Sequence, residues 1–176
     1  MKNHKMRLAA TIVAVACAAV PTAALAGGKG TEHDKLGRFT GGGKTVGTDG
    51  NGKAVKVTHG TSLRCRTDDA PQRLEVNWSG GGKFHLEDLV YSSCRDNPNF
   101  SEGQPKAGFD TYVGHGYGRD GQYAEWVFTD HGEPGRADTF EIHIVDADGN
   151  AILDVNDDLS LGGNHQAHRA TGSAAR

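Results

Sequence analysis

The sequence predicts an all-β protein, and two observations carry that prediction. Glycine accounts for 26 of the 176 residues, which favours short strands joined by tight turns over helices. Several segments also alternate apolar and polar residues with the period of two that half-buried strands require. Eight to ten strands at this spacing imply an antiparallel β-sandwich or a barrel. Of the two we expect the sandwich, with jelly-roll or immunoglobulin-like topology and one disulfide.

The strand predictions in the first half of the chain follow this alternation. The segment 73–79 is the clearest case, because Leu74, Val76 and Trp78 share one face and charged or polar residues occupy the other. The glycines at 80–82 then indicate a turn. The predicted strands of this half lie at 53–59, 61–66, 73–79 and 84–89.

The second half of the chain gives similar signals after a long polar loop at 96–106. Between 109 and 117 the pattern predicts Phe109, Thr111 and Val113 on the inward face, with Tyr112 on the opposite face. The remaining predicted strands lie at 123–129, 139–145, 151–155 and 159–161. From residue 162 the chain is polar, and its histidines are interpreted as part of that polarity.

Residues 1–26 have the pattern of a secretory signal peptide. Three basic residues precede an apolar stretch at 8–19 that is too short to span a bilayer, and small residues lead to a cleavage site before Gly27. We therefore expect a secreted, periplasmic or cell-surface protein. Lipid anchoring through Cys17 is the alternative, although the residues before it lack the usual leucine.

The leader divides the chain into a simple predicted domain organisation. A flexible arm is expected at 27–38, the β-sandwich domain at 39–168 and a disordered tail at 169–176. Without the three basic residues of the leader, 16 Lys and Arg remain against 22 Asp and Glu, a formal charge of about −6. This sign argues against nucleic acid or an anionic membrane as partner, and no second apolar run approaches the length of a membrane span.

Two cysteines remain after the leader, Cys65 and Cys94. In an exported chain such a pair is expected to form one disulfide.

Six short strings stand out along the chain: FTGGG at 39–43, LEVNW at 74–78, FHLEDL at 84–89, FDTYVG at 109–114, FTDHGEPG at 128–135 and GGNHQAH at 162–168. Taken together and in this order, they resemble a bacterial exported domain of the post-choice-of-anchor kind. The resemblance covers about 39–168 and implies an extracellular all-β module without established catalytic residues.

The sequence requires no cofactor, and calcium is the better of two metal candidates. Asp146, Asp148 and Asn150 alternate around a glycine, with Asp154 nearby, and oxygen ligands of this kind suit a hard cation. The alternative interpretation is an ordinary Asp-Gly hairpin turn.

A second metal hypothesis combines two strands. His85 and Glu87 share one strand face, and so do Glu141 and His143; if those strands were neighbours, the four groups would suit Zn²⁺ or Fe²⁺. The simpler interpretation is that both are solvated faces of half-buried strands.

Four tyrosines are candidates for stacking on a ligand, because each lies off the predicted inward register or in a glycine-rich turn. They are Tyr91, Tyr112, Tyr117 and Tyr123. No Gly-x-Ser-x-Gly nucleophile turn is present. The sequence therefore favours a non-catalytic, secreted module of the cell envelope or extracellular space, which binds surface polysaccharide or another envelope protein or has a structural role. The alternative is a metal-assisted extracellular enzyme that uses the His/Glu cluster.

Overall fold

The described part of the chain forms nine β-strands, and every pairing between them is antiparallel. The structure, a computed structural model, describes residues 36–98, 106–158 and 162–170. A short 3₁₀ turn occupies Arg119–Gly121. The strands are β1 (Gly37–Asp49), β2 (Ala54–Arg64), β3 (Arg73–Trp78), β4 (Gly82–Arg95), β5 (Thr111–Gly118), β6 (Tyr123–Thr129), β7 (Thr139–Val145), β8 (Ala151–Asp158) and β9 (Gly163–Arg169).

The first eight strands close into a barrel. Each strand from β1 to β7 pairs with the next along the chain, and β8 returns to pair with the end of β1 through Thr48 and Asp49. The ninth strand continues along the same edge of β1, opposite Gly37–Gly43. Strand β1 is thus flanked by β2 on one side and by β8 and β9 in succession on the other.

The all-β antiparallel prediction is confirmed, but the preferred sandwich is wrong: the sheet closes on itself as an eight-stranded barrel. Alternation along a strand specifies which face is buried, and both architectures bury one face of each strand. The contact that decides between them joins β1 to β8, about a hundred residues apart, through the short pairing near Asp49. No local sequence pattern reports such a pairing.

Large apolar side chains fill the interior. Each strand from β2 to β8 carries buried apolar side chains at alternating positions, as period-two alternation requires, and His59 and Thr61 on β2 are buried polar exceptions. The fully buried rings are those of Phe39, Phe84, Phe109, Tyr112, Phe128 and Phe140, and Trp126 is nearly so. The barrel is therefore packed with side chains along most of its length.

Strand β5 makes room for these rings with glycines. Its inward positions after Tyr112 are Gly114, Gly116 and Gly118. A Cβ atom on Gly114 would lie 2.8 Å from the indole of Trp126, and one on Gly118 would lie 2.6 Å from the ring of Phe84. Small residues opposite large ones let the two sides of the core interdigitate.

The predicted register of this strand is wrong. Tyr112 is fully buried, whereas Val113 lies on the outer face and is only half-buried. The inward glycines carry no hydrophobic signal, so the alternation of Phe109, Thr111 and Val113 was the stronger pattern in the sequence. Both Phe109 and Thr111 are buried as well, because the chain before β5 packs into the end of the barrel.

The two ends of the barrel differ. The connections after β1, β3, β5 and β7 lie at one end, which we call the mouth. The other end, the sealed end, holds the confirmed disulfide between Cys65 and Cys94, whose Cα atoms are 5.3 Å apart. Both cysteines are buried in the core.

Buried carboxylates fasten β9 at the sealed end. Asp138 accepts hydrogen bonds from the backbone N–H groups of His131 and His165, at 2.9 and 2.7 Å. Asp130 accepts from the N–H of Ala167 at 2.8 Å. The edge of β9 that does not face β1 therefore pairs with side-chain carboxylates instead of another strand.

Several sequence predictions lie outside the described residues. These are the signal peptide at 1–26, most of the arm at 27–38, the strand at 159–161 and most of the tail at 169–176. Strand β1 begins at Gly37, two residues before the predicted start of the domain. The described residues all belong to one compact unit, and none of the helical segments within it is long and apolar enough to cross a membrane.

Candidate binding surface

The outer face of β4, β5 and β6 carries a contiguous set of aromatic rings. We call the set formed by Tyr91, His115, Tyr117 and Tyr123 the aromatic band. Strand pairing places Tyr91 opposite His115 and Tyr117 opposite Tyr123. Because the glycines of β5 occupy its inward positions, His115 and Tyr117 must point outward.

Neighbouring rings of the aromatic band contact one another in sequence. The ring centroids of Tyr91 and His115 are 5.4 Å apart with planes 16° from parallel. His115 lies 5.7 Å from Tyr123, and Tyr123 lies 5.3 Å from Tyr117, both in tilted arrangements. Tyr91 is 41% exposed and Tyr117 is 48% exposed. The two ends of the band thus present ring surface to solvent, and the two central rings support them.

Tyr123 also supplies a fixed polar group beside the rings. Its hydroxyl donates a hydrogen bond to Oε1 of Glu125 at 2.9 Å. Desolvation and this bond raise the pKa of Tyr123 to about 12. The Tyr123 phenol therefore stays neutral at physiological pH.

Polar side chains continue the surface beyond the rings. Strand register aligns His115, Glu125, His143 and Asp154 in one row across β5, β6, β7 and β8. Nδ1 of His143 lies 2.6 Å from Oδ1 of Asp154. The aromatic band is thus bordered on one side by hydrogen-bonding groups in fixed positions.

A concave feature lies at the mouth. A cavity of about 710 Å³ opens there between the tight connections of the barrel. Trp78 lines it and lies across Gly82, where a Cβ atom would come within 2.0 Å of the indole. The connection itself requires glycine, because Gly80 and Gly81 have φ values of 95° and 87°.

A pair of histidines lies inside the barrel, away from both surfaces. His59 stacks on Phe140 with ring centroids 3.9 Å apart and planes 5° from parallel. Burial lowers the pKa of His59 to about 3 and that of His165 to about 4. Both are therefore neutral at physiological pH and act as core residues.

Three of the four predicted stacking tyrosines lie together in the aromatic band. Tyr112 does not, and its prediction is corrected: it is fully buried, and its hydroxyl donates to the carbonyl of Arg64 at 3.2 Å. The reason is the glycine register of β5 described above.

The two halves of the predicted His/Glu cluster are not brought together. Strand β4 carries His85 and Glu87, strand β7 carries Glu141 and His143, and β5 and β6 lie between them. His85 instead lies 3.2 Å from Glu75, and Glu87 pairs with Arg119 at 3.0 Å. Across the described ranges, no group of three or more His, Cys, Asp or Glu residues is arranged to hold a metal ion.

The residues of the predicted calcium loop form a hairpin turn between β7 and β8. Oδ1 of Asp146 accepts from the backbone N–H groups of Asp148 and Asn150, at 3.0 and 2.9 Å. These bonds lower the pKa of Asp146, with the side chain of Asn150 as the largest contributor. Asp154 lies on β8 and contacts His143. The turn thus uses the Asp146 carboxylate for its own backbone.

Sequence reasoning missed His115 and the buried histidines. His115 stands between two glycines, and the alternation of glycine with larger residues at 113–118 was a usable signal for its outward direction. His165 lies in a polar stretch that gives no strand signal, because β9 is held by carboxylates from another part of the chain.

Comparison of the chain with protein-family models, with curated proteins and with solved structures gave no match. The resemblance to post-choice-of-anchor domains stays an expectation from the sequence.

Proposed function

We propose that the protein is a secreted, non-catalytic module that binds an extended polysaccharide along the aromatic band. The observation that carries the proposal is the continuous series of ring contacts from Tyr91 to Tyr117, with both end rings more than two-fifths exposed. Large exposed rings grouped on one face of a barrel cost solubility, and such patches mark interaction sites.

The chemistry of the band suits sugars. A pyranose ring has an apolar C–H face that packs on an aromatic ring, and hydroxyl groups around its edge that need hydrogen-bond partners. The band offers both, because Glu125 and His143 border the rings in register with His115. A series of rings along one face matches a chain of repeated units better than a single small molecule.

A glycan array of bacterial surface polysaccharides, probed with the mature oxidised protein, tests the proposal. The informative variant is Tyr91→Ala combined with Tyr117→Ala, since both side chains are exposed and their loss leaves the core intact. Each ring removed should weaken binding about two- to tenfold, the range expected for an aromatic stacking contact. Tyr→Phe at the same positions should retain most of the affinity.

Val46→Ala is the matched control. Val46 is 42% exposed on β1, outside the three strands that carry the band. It removes a comparable exposed apolar side chain and should leave binding unchanged. A silent array together with unaltered tyrosine fluorescence on titration would overturn the proposal. Equal binding by the wild type and the double alanine variant would also overturn it, and binding to an envelope protein alone would replace it.

A further inference from the structure

We infer that the mouth of the barrel is a second carbohydrate subsite, which takes the terminal unit of the same polysaccharide on the indole of Trp78. This inference rests on the proposed function of the aromatic band. The volume of the cavity at the mouth, about 710 Å³, lies within the range of roughly 300–1,000 Å³ that small-ligand pockets occupy.

The cavity has one aromatic platform. Trp78 is half-buried at the end of β3, and its indole covers Gly82 on the paired strand. Phe84 and Ile152 supply the nearby apolar lining. A single ring held on a rigid hairpin in this way can carry one sugar unit.

The rest of the lining is polar and nearly neutral in charge. Three acidic residues, Asp49, Glu75 and Asp120, stand against the basic residues Lys83 and Arg119. Glu75 is paired with His85 and Arg119 with Glu87. Three carboxylates against two cations give the lining little formal preference for a charged ligand.

Carboxamides complete the set of hydrogen-bonding groups. Asn51, Asn77 and Gln122 line the cavity, and Gln122 is fixed by a hydrogen bond from Nε2 to the carbonyl of Lys83 at 3.2 Å. The amide groups both donate to and accept from hydroxyl groups, and the carboxylates of the lining accept from them. A neutral ring with many hydroxyls therefore fits this lining better than an apolar or an ionic ligand.

The mouth is continuous with the aromatic band. Tyr117 and Tyr123 stand directly on either side of the connection 118–122. That connection contributes Arg119, Asp120 and Gln122 to the cavity lining. A chain that follows the band toward Tyr117 consequently reaches the rim of the mouth.

Tryptophan fluorescence and calorimetry can test the subsite apart from the band. Trp126 is only 2% exposed, so acrylamide quenching reports mainly on Trp78. The probes are glucose, galactose, N-acetylglucosamine, maltose, cellobiose and N,N′-diacetylchitobiose. At least one should protect Trp78 from quenching and give a measurable heat of binding. That heat should fall at least tenfold in Trp78→Ala, and also in Asn77→Ala, which changes an exposed residue and spares the core.

The band variant separates the two proposals. Tyr91→Ala with Tyr117→Ala should leave binding of these short sugars unchanged while it weakens the polysaccharide. If no probe protects Trp78 or releases heat, the mouth subsite is wrong, whatever the array shows for the band. If short sugars bind at Trp78 and the array is silent, the mouth is supported as a site and the band is overturned.

Discussion

The Nε2 atoms of His59 and His165 lie 2.8 Å apart inside the barrel. Their strands, β2 and β9, both pair with β1, so the two side chains meet over the glycines at 41–43. Nδ1 of His165 lies 3.1 Å from the carbonyl oxygen of Thr129, which can only accept. His165 therefore carries its proton on Nδ1, and His59 must donate from Nε2. This leaves Nδ1 of His59 as a buried acceptor with no hydrogen-bond partner.

This pair predicts acid sensitivity. In the unfolded chain both histidines take up a proton near pH 6.5, whereas the native pKa values of about 3 and about 4 keep them neutral well below that pH. The unfolded state thus binds more protons, and stability falls as the pH drops from about 6.5 toward 4. Each histidine should lower the free energy of unfolding by about 2 kcal/mol between pH 7 and pH 5.

Urea unfolding at several pH values measures this loss. Burial raises the pKa values of Asp138 and Asp110, so these carboxylates act in the opposite direction at the acid end. Because the variant His59→Leu with His165→Leu lacks both imidazoles, its free energy of unfolding should decrease less than that of the wild type as the pH drops. Proton NMR gives an independent reading: if either imidazole titrates between pH 8 and 5 in the folded protein, the pair is not the source of the acid sensitivity.

The carboxylate of Asp138 should be needed to hold β9. Asp138→Ala leaves the N–H groups of His131 and His165 without their acceptor. Removal of a buried charge offsets part of the loss, but two unpaired amides cost about 1–3 kcal/mol each. We expect a net loss of about 2–4 kcal/mol of unfolding free energy.

Hydrogen exchange separates this effect from a general loss of stability. The amides of His165 and Ala167 should exchange faster in Asp138→Ala than those of the β3–β4 hairpin. Asp88→Ala, at an exposed carboxylate on β4, is the control and should change neither quantity. If the amides of all strands exchanged faster by the same factor, this result would contradict a specific role of Asp138 in holding β9.

Gly114 should tolerate no side chain. In Gly114→Ala the new methyl group would meet the indole of Trp126 at 2.8 Å, and overpacking of this kind costs about 1–3 kcal/mol. Thermal unfolding measures the loss. Gly60→Ala is a matched control, because Gly60 also lies within a strand but has nothing within 4 Å of its Cβ position. It should be neutral or stabilise the fold by up to about 1 kcal/mol.

The disulfide should contribute substantially to stability. It joins Cys65 to Cys94 across a separation of 29 residues, for which chain entropy gives about 3–4 kcal/mol. Urea unfolding with and without a reducing agent should show this difference in the wild type. Cys65→Ala with Cys94→Ala should match the reduced wild type and respond to no reductant; a further effect of reductant on that variant would point to another cause.

The sequence allowed the strands from β2 to β8 and much of the core to be predicted, because alternation such as that of Trp126 and Phe128 depends only on local burial; the glycine-rich strand β1 was not predicted. It did not allow barrel closure, which depends on one distant pairing near Asp49. The outward direction of Tyr91, Tyr117 and Tyr123 was predicted, but their contact through His115 required the strand register. Strand β9 was not predicted, since its polar residues are bonded by carboxylates about thirty residues earlier.

The pairing of Gly37 with Arg169 has a consequence for how the barrel is displayed. The chain enters and leaves the barrel side by side at the sealed end, whereas the cavity opens at the opposite end. An attachment made at Gly37 or at Arg169 therefore lies at the sealed end of the barrel. The mouth, at the opposite end, then faces away from the attachment and toward the surrounding solution.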